Sequence, residues 1–161
     1  MAKAIPDGYH TLTPSFTFKD CQKAIEFYKK AFGAEILDNM PGPGGRGTMH
    51  ATLKIGNSIF MMGDEMPDSE NCGKSAETLG NSPISLYVYV PDADAAFKQA
   101  VAAGGKEAMP VMDMFWGDRA GTIKDPFGYM WMIATHKKDL TKDEIQKGAK
   151  EFFEQMQNQK K

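Results

Sequence analysis

The sequence predicts an α+β fold: two βαβββ modules forming a cleft, followed by a C-terminal amphipathic helix. Three observations predict it. Strand-like alternation around a single helix-period run occurs twice in the same order, landmarks of the two halves share one offset, and a final amphipathic run lies outside the repeat. The offset is 72: Asp20 pairs with Asp92, Ala24 with Ala96, Gly33 with Gly105, Glu35 with Glu107 and Gly56 with Gly128. Coincidences spanning helix cap, helix end and last turn mark a duplicated unit. The modules are expected at residues 8–64 and 84–137, with a linker over 65–83 and the helix and tail over 138–161. Two halves that each carry a helix on one sheet face can set their other faces together around a cleft.

In order along the chain, residues 1–9 form a loose arm. Leu12, Phe16 and Phe18 alternate with Thr13, Ser15 and Thr17, which predicts a half-buried strand with Pro14 near its start. Asp20 can cap the next run, where Ala24, Ile25, Phe27, Tyr28, Ala31 and Phe32 recur at helical spacing until Gly33. Strands are expected over 34–40, 50–55 and 58–62, the last two joined by the Gly56-Asn57 turn. The intervening PGPGGRG loop has neither the spacing nor the Lys-Ser/Thr ending of a phosphate loop. Residues 64–83 are polar and without periodicity, so they read as a linker. The pattern then restarts. Leu86, Val88 and Val90 alternate with Ser85, Tyr87 and Tyr89; Asp92 or Asp94 caps a helix ended by Gly104-Gly105; strands follow over 106–112, 120–124 and 129–134. Thr141 and Glu144 form a capping box for a last helix whose stripe is Ile145, Ala149, Phe152, Phe153 and Met156. That stripe should dock on a groove of this subunit or a partner.

Composition excludes several functions. The formal net charge is −2, with scattered Lys and Arg, which argues against nucleic acid as a partner. The N-terminus lacks an apolar signal core, and no run approaches membrane-spanning length, so no membrane partner is expected. Cys21 and Cys72 match no metal or redox spacing and are expected as reduced thiols in a cytoplasmic protein. Twelve Met residues, several in expected strands, supply a polarisable lining for a core or cavity.

The chemistry concentrates in Asp113–His136. Phe115-Trp116-Gly117-Asp118-Arg119 combines apolar area with a hydrogen-bonding fork, as small-molecule sites do, and Asp125-Pro126-Phe127-Gly128 reads as a turn. Asp118 is expected to hold Arg119, and Asp125 to form the turn. The competing expectation for Phe115 and Trp116 is packing at a subunit interface.

This arrangement resembles the vicinal oxygen chelate superfamily, which includes glyoxalase I, extradiol dioxygenases and bleomycin and fosfomycin resistance proteins. Within it, the likeness is to PhnB-like glyoxalase/bleomycin-resistance proteins. It is carried by AIEFYKKAFGAEI (Ala24–Ile36), GTMHATLKIG (Gly47–Gly56), FWGDRAGTIKDPFG (Phe115–Gly128) and ATHKKDLTKDEI (Ala134–Ile145). The resemblance implies a two-module cleft, a small ligand within it, and a homodimer. The subgroup often has His where this chain has Tyr129.

In the superfamily's metal enzymes a divalent ion is held by His, Glu or His on the first and last strands of the modules. Carried over, those positions are Thr13, Ser85, Phe60 or Met61, and Met132. Hydroxyls and thioethers are poor ligands for such ions, so no metal and no other cofactor is expected. His10 lies near the arm and His136 after the last strand; His50 alternates with the apolar row of its strand and can serve as hydrogen-bonding group, acid or base. The expected ligand site is therefore Tyr87, Tyr89, Phe115 and Trp116 for stacking, Met61 and Met132 for the floor, and Arg119 with His50 for polar anchoring. The alternatives are a metal-dependent lyase, isomerase or dioxygenase built on unusual ligands such as His50 with carboxylates, and metal-free catalysis by His50 or Arg119.

Overall fold

Alternation along the chain resolves into eight strands in a computed structural model that describes residues 2–66 and 73–158. The first half contains β1 (Ser15–Phe18), α1 (Cys21–Phe32), β2 (Glu35–Pro41), β3 (Thr48–Ile55) and β4 (Ser58–Asp64). The second contains β5 (Ser85–Tyr89), α3 (Ala93–Ala102), β6 (Lys106–Asp113), β7 (Asp118–Lys124) and β8 (Met130–His136). Between them lies a short helix, α2 (Ala76–Leu79), where a structureless linker is expected; α4 (Lys142–Asn158) ends the described chain. Part of the expected linker, including Cys72, lies outside the described residues.

Each half is a four-stranded sheet, ordered β1-β4-β3-β2 and β5-β8-β7-β6. The first and last strands of each half pair in parallel and the others antiparallel. Parallel pairing requires a crossover, and α1 and α3 begin it. Asp20 and Asp92 cap these helices by accepting from the backbone N–H groups of Lys23 and Ala95. The last strands reach the same helix starts: Asp64 accepts from the N–H of Cys21, and Thr135 from that of Ala93. Cys21 is fully buried there, and desolvation with the nearby Asp64 carboxylate pushes its thiol up to about 12.

Leu12 departs from expectation. It precedes β1 and is 85% exposed, because the ladder begins only after Pro14, which has no N–H to contribute. The repeat also slips. The offset of 72 holds from β1 into α1, but the core pair Phe60 and Met62 of β4 corresponds to Trp131 and Ile133 of β8, an offset of 71. This shift settles the ambiguous last-strand position as Met61, which shares a face with Ser15 and Thr52.

The halves meet through their helix-bearing faces. Phe16, Phe18, Tyr28, Phe97, Phe127, Tyr129 and Trp131 belong to one buried cluster spanning both modules. Phe18 meets Phe127 and Tyr129 edge-on, and Phe32 lies 4.6 Å from Trp131 between ring centroids. Gly121 lets Phe97 lie close over β7, since an added Cβ would meet that ring at 2.9 Å. At the centre stands Asp125, 4% exposed. One of its oxygens accepts from the N–H groups of Phe127 and Tyr129; the other accepts from the Tyr28 hydroxyl (2.7 Å) and the Trp131 indole (3.0 Å). Desolvation nevertheless pushes the Asp125 pKa up. Tyr129, in turn, donates its hydroxyl to the carbonyl of Thr17 in the other module. The open sheet faces are consequently not set against each other within one chain.

Asp125→Ala would strand the buried Tyr28 hydroxyl and the Trp131 N–H. It should cost about 3–5 kcal/mol in urea denaturation, against about 1 kcal/mol for Tyr28→Phe, which removes a single bond.

Candidate functional site: the open face of the second sheet

The two open faces differ in what covers them. In the first sheet, Ile59 faces outward with Met61, yet it is only 8% exposed because the N-terminal arm reaches it at Gly8. Thr52 on the same face is buried, and it bonds His50 Nε2 at 3.0 Å. In the second sheet the face stays open, with Tyr87 44% and Tyr89 62% exposed.

Strand register builds this second surface row by row. Met109, Thr122, Met132 and Tyr87 stand side by side across four strands; Met112, Ala120, Ala134 and Tyr89 make the next row. Ala120 and Ala134 are fully buried and form a low floor. Met109, Met112, Met132 and Trp116 pack around them with Met114. Small residues amid polarisable thioethers and rings make a shallow apolar seat.

The last row is Asp118 opposite His136. Asp118 is 3% exposed, and its Oδ2 accepts from the Tyr87 hydroxyl (2.7 Å), the Tyr89 hydroxyl (3.0 Å) and the Trp116 indole N–H (3.1 Å). Oδ1 faces His136 Nδ1 at 2.8 Å, and His136 Nε2 faces Asp139 at 3.1 Å. Desolvation alone would raise the Asp118 pKa, but hydrogen bonds from Tyr87, His136, Tyr89 and Trp116 outweigh it and hold the carboxyl below its ordinary value. The bond to Asp118, then that to Asp139, raises His136.

The expected site residues therefore separate. Tyr87, Tyr89, Trp116 and Met132 come together. His50 and Met61 belong to the open face of the first sheet. Phe115 turns beneath α4, its ring 5.7 Å from that of Phe152, with Gly148 against its backbone. Arg119 projects on the helix side of β7, where Nη2 and Nε grip Asp94 at 2.7 and 2.5 Å and Nη1 reaches Asp113. Asp118 does not hold Arg119. Both lie in a strand, where neighbours point to opposite faces. Asp118 and His136 are the polar residues that sequence reasoning missed. Continuing the alternation of Met130, Met132 and Ala134 by one step would have placed His136 on this face.

The cap of α4 is reciprocal: Glu144 accepts from the Thr141 N–H, and Thr141 accepts from that of Glu144. Beneath the helix lies a cavity of about 360 Å3 lined by Met114, Phe115, Lys137, Lys138, Leu140 and Gly148, among others. Gly117 closes its edge with φ of +100°, and an added Cβ would strike the carbonyl of Lys138.

The metal positions of the fold do not fit a divalent ion. Ser85 and Met132 stand on the second open face and Met61 on the first, while the Thr13 hydroxyl donates to the His10 carbonyl. None offers imidazole or carboxylate. His136 directs its two nitrogens at different carboxylates, and among the described residues no group of three or more His, Cys, Asp or Glu could hold a metal ion.

Comparison with known proteins agrees with this architecture. Residues 10–133 match the family model of the glyoxalase/bleomycin resistance protein/dioxygenase superfamily, and the chain belongs to it. An uncharacterized protein of Mycobacterium tuberculosis is 38% identical over 138 residues, covering 84% of this chain and 79% of the relative. The Escherichia coli protein YjdN is 28% identical over 81% of this chain and 98% of its own. Among solved structures, TioX from Micromonospora sp. ML1 superimposes with a TM-score of 0.63 at 25% identity, covering 79% of this chain and 98% of that one. A PhnB protein from Bacillus cereus, titled a putative 3-demethylubiquinone-9 3-methyltransferase, shares the fold with a TM-score of 0.60 at 24% identity, covering 78% and 99%.

The Asp118–His136 pair should stabilise the protein within a defined pH window. Asp118 is lowered from 3.8, so its contribution is present above about 3.8 and is lost as pH falls through the native value. His136 is raised from 6.5, so its contribution is complete below about 6.5 and is lost as pH rises through the native value. Denaturation midpoints measured against pH should show both limbs, and His136→Gln should flatten the upper one.

Proposed function

We propose that this superfamily member binds a small, flat, aromatic molecule on the open face of its second sheet without a metal. A second copy of the chain supplies the facing wall, as a homodimer. One observation carries the reading: two exposed tyrosine rings, 5.0 Å apart between centroids, have their hydroxyls tied to a buried carboxylate. Exposed aromatics normally lose rotamer freedom when a ligand stacks on them. Here that entropy is already lost in the free protein, so the platform is preorganised. The methionine-lined seat beside it accommodates varied flat shapes.

The homodimer is supported by the exposure of this face, which the chain's own modules leave uncovered. A metal-dependent lyase, isomerase or dioxygenase would need imidazole or carboxylate at Thr13, Met61, Ser85 and Met132. Arg119, committed to Asp94 and Asp113 on the other side of the sheet, plays no part in this reading.

Native mass spectrometry of freshly purified protein should report a dimer free of stoichiometric zinc, nickel, manganese or iron. Monomers, or stoichiometric metal, would overturn that part of the reading. Trp116→Ala should weaken binding of flat aromatic dyes about tenfold, equivalent to about 1.4 kcal/mol. Arg119→Ala should leave that binding unchanged. It should move the denaturation midpoint only slightly, since the pair is partly exposed.

A further inference from the structure

We propose that the ligand of the Tyr87–Tyr89–Trp116 platform is a flat organic cation carrying N–H or O–H donors, such as a protonated amino-heteroaromatic, and that organic anions are rejected. The inference rests on the platform reading above and follows from counting protons around Asp118.

Each donor at the platform is already committed. Tyr87 and Tyr89 have one hydroxyl proton apiece, and both hydroxyls lie within 3.0 Å of Asp118 Oδ2. An ionised carboxylate only accepts, so both phenols donate to it. The Trp116 N–H goes to the same oxygen, with a longer contact of 3.3 Å to the Tyr87 hydroxyl oxygen. His136 spends its nitrogens on Asp118 and Asp139. What this cluster has left to offer is phenol lone pairs and the electron-rich faces of three rings, the buried Asp118 charge being partly offset by His136, which the same contact raises.

That inventory complements a cation. Ring faces attract positive charge, more so where water is displaced, and the phenol oxygens can accept from N–H groups on its edge. On this face an anion would meet phenol acceptors and ring faces with no free donor, which makes its desolvation costly. The guanidinium that would otherwise recruit anions, Arg119, is on the other face of the sheet. Lys137 and Lys138 line the cavity under α4, which Asp118 borders and which Asp113 and Glu144 also line. Burial and the Asp118 carboxylate also raise the Tyr87 and Tyr89 pKa values, so the phenols keep their protons at neutral pH.

The test uses two tricyclic dyes of similar size, proflavine as a cation with amino donors and anthracene-2-sulfonate as an anion, titrated by fluorescence into the full-length protein. Proflavine should bind about tenfold more tightly or better, the scale of one well-made charge-assisted contact. Asp118→Asn removes the negative charge beneath the phenols while keeping an acceptor oxygen for their O–H groups. In the folded variant, checked by circular dichroism, the preference should shrink about tenfold. Tyr89→Phe keeps the ring but removes one acceptor; it should weaken proflavine about threefold and leave the sulfonate unaffected, and it carries the test if Asp118→Asn fails to fold. Sulfonate binding equal to or tighter than proflavine, and abolished by Trp116→Ala, would overturn the cation inference while leaving the platform intact. Failure of both dyes to bind, or binding indifferent to Trp116→Ala, would overturn the platform and this inference together.

Discussion

The buried carboxylate of Asp125 holds the two modules in their relative position. It sits in the turn before β8, yet two of its donors, the Tyr28 hydroxyl and the Trp131 indole, come from opposite halves of the chain. A carboxylate in an apolar core is tolerated only when its lone pairs are filled. Both of its oxygens are filled here. The geometry therefore fixes α1 against the second sheet, and with it the shared aromatic core. Because that core uses the helix-bearing faces, both remaining sheet faces are directed away from it. Which surfaces stay open follows from which faces are consumed by folding.

The same chemistry recurs at Asp118 with a different outcome. Asp125 accepts from one tyrosine hydroxyl and a tryptophan indole, Asp118 from two tyrosine hydroxyls and a tryptophan indole. Around Asp125 the rings are buried and their apolar area contributes to stability. Around Asp118 the tyrosine rings remain exposed while their hydroxyls are fixed, so the apolar area is still available to a ligand. One arrangement completes a core; the other presents a rigid surface. The first module has no counterpart to the second surface, since its own N-terminal arm lies against Ile59. The two duplicated modules thus present unequal open faces.

Much of the fold was legible because its signals are local. The caps at Asp20 and Asp92, the αL Gly33, and the Thr141–Glu144 box each depend on residues within a few positions of one another. The site was legible only in part. Tyr87, Tyr89 and Met132 follow from simple alternation. Adjacency in sequence suggests that Asp118 and Arg119 pair, whereas β7 begins at Asp118 and sends the two side chains to opposite faces. Phe115 could not be told from Trp116 without knowing that α4 folds back over one of them.

The sequence by itself determined the repeated βαβββ order, the caps of the first and last helices and most of the residue types on each strand face, since these are set by periodicity and by short-range backbone hydrogen bonding. Only the tertiary structure decided which faces join, which surface the chain's own arm covers, and that Asp118 and His136 complete the aromatic platform. Those outcomes depend on contacts between residues dozens of positions apart, where the balance of burial, register and proton donors is settled in three dimensions.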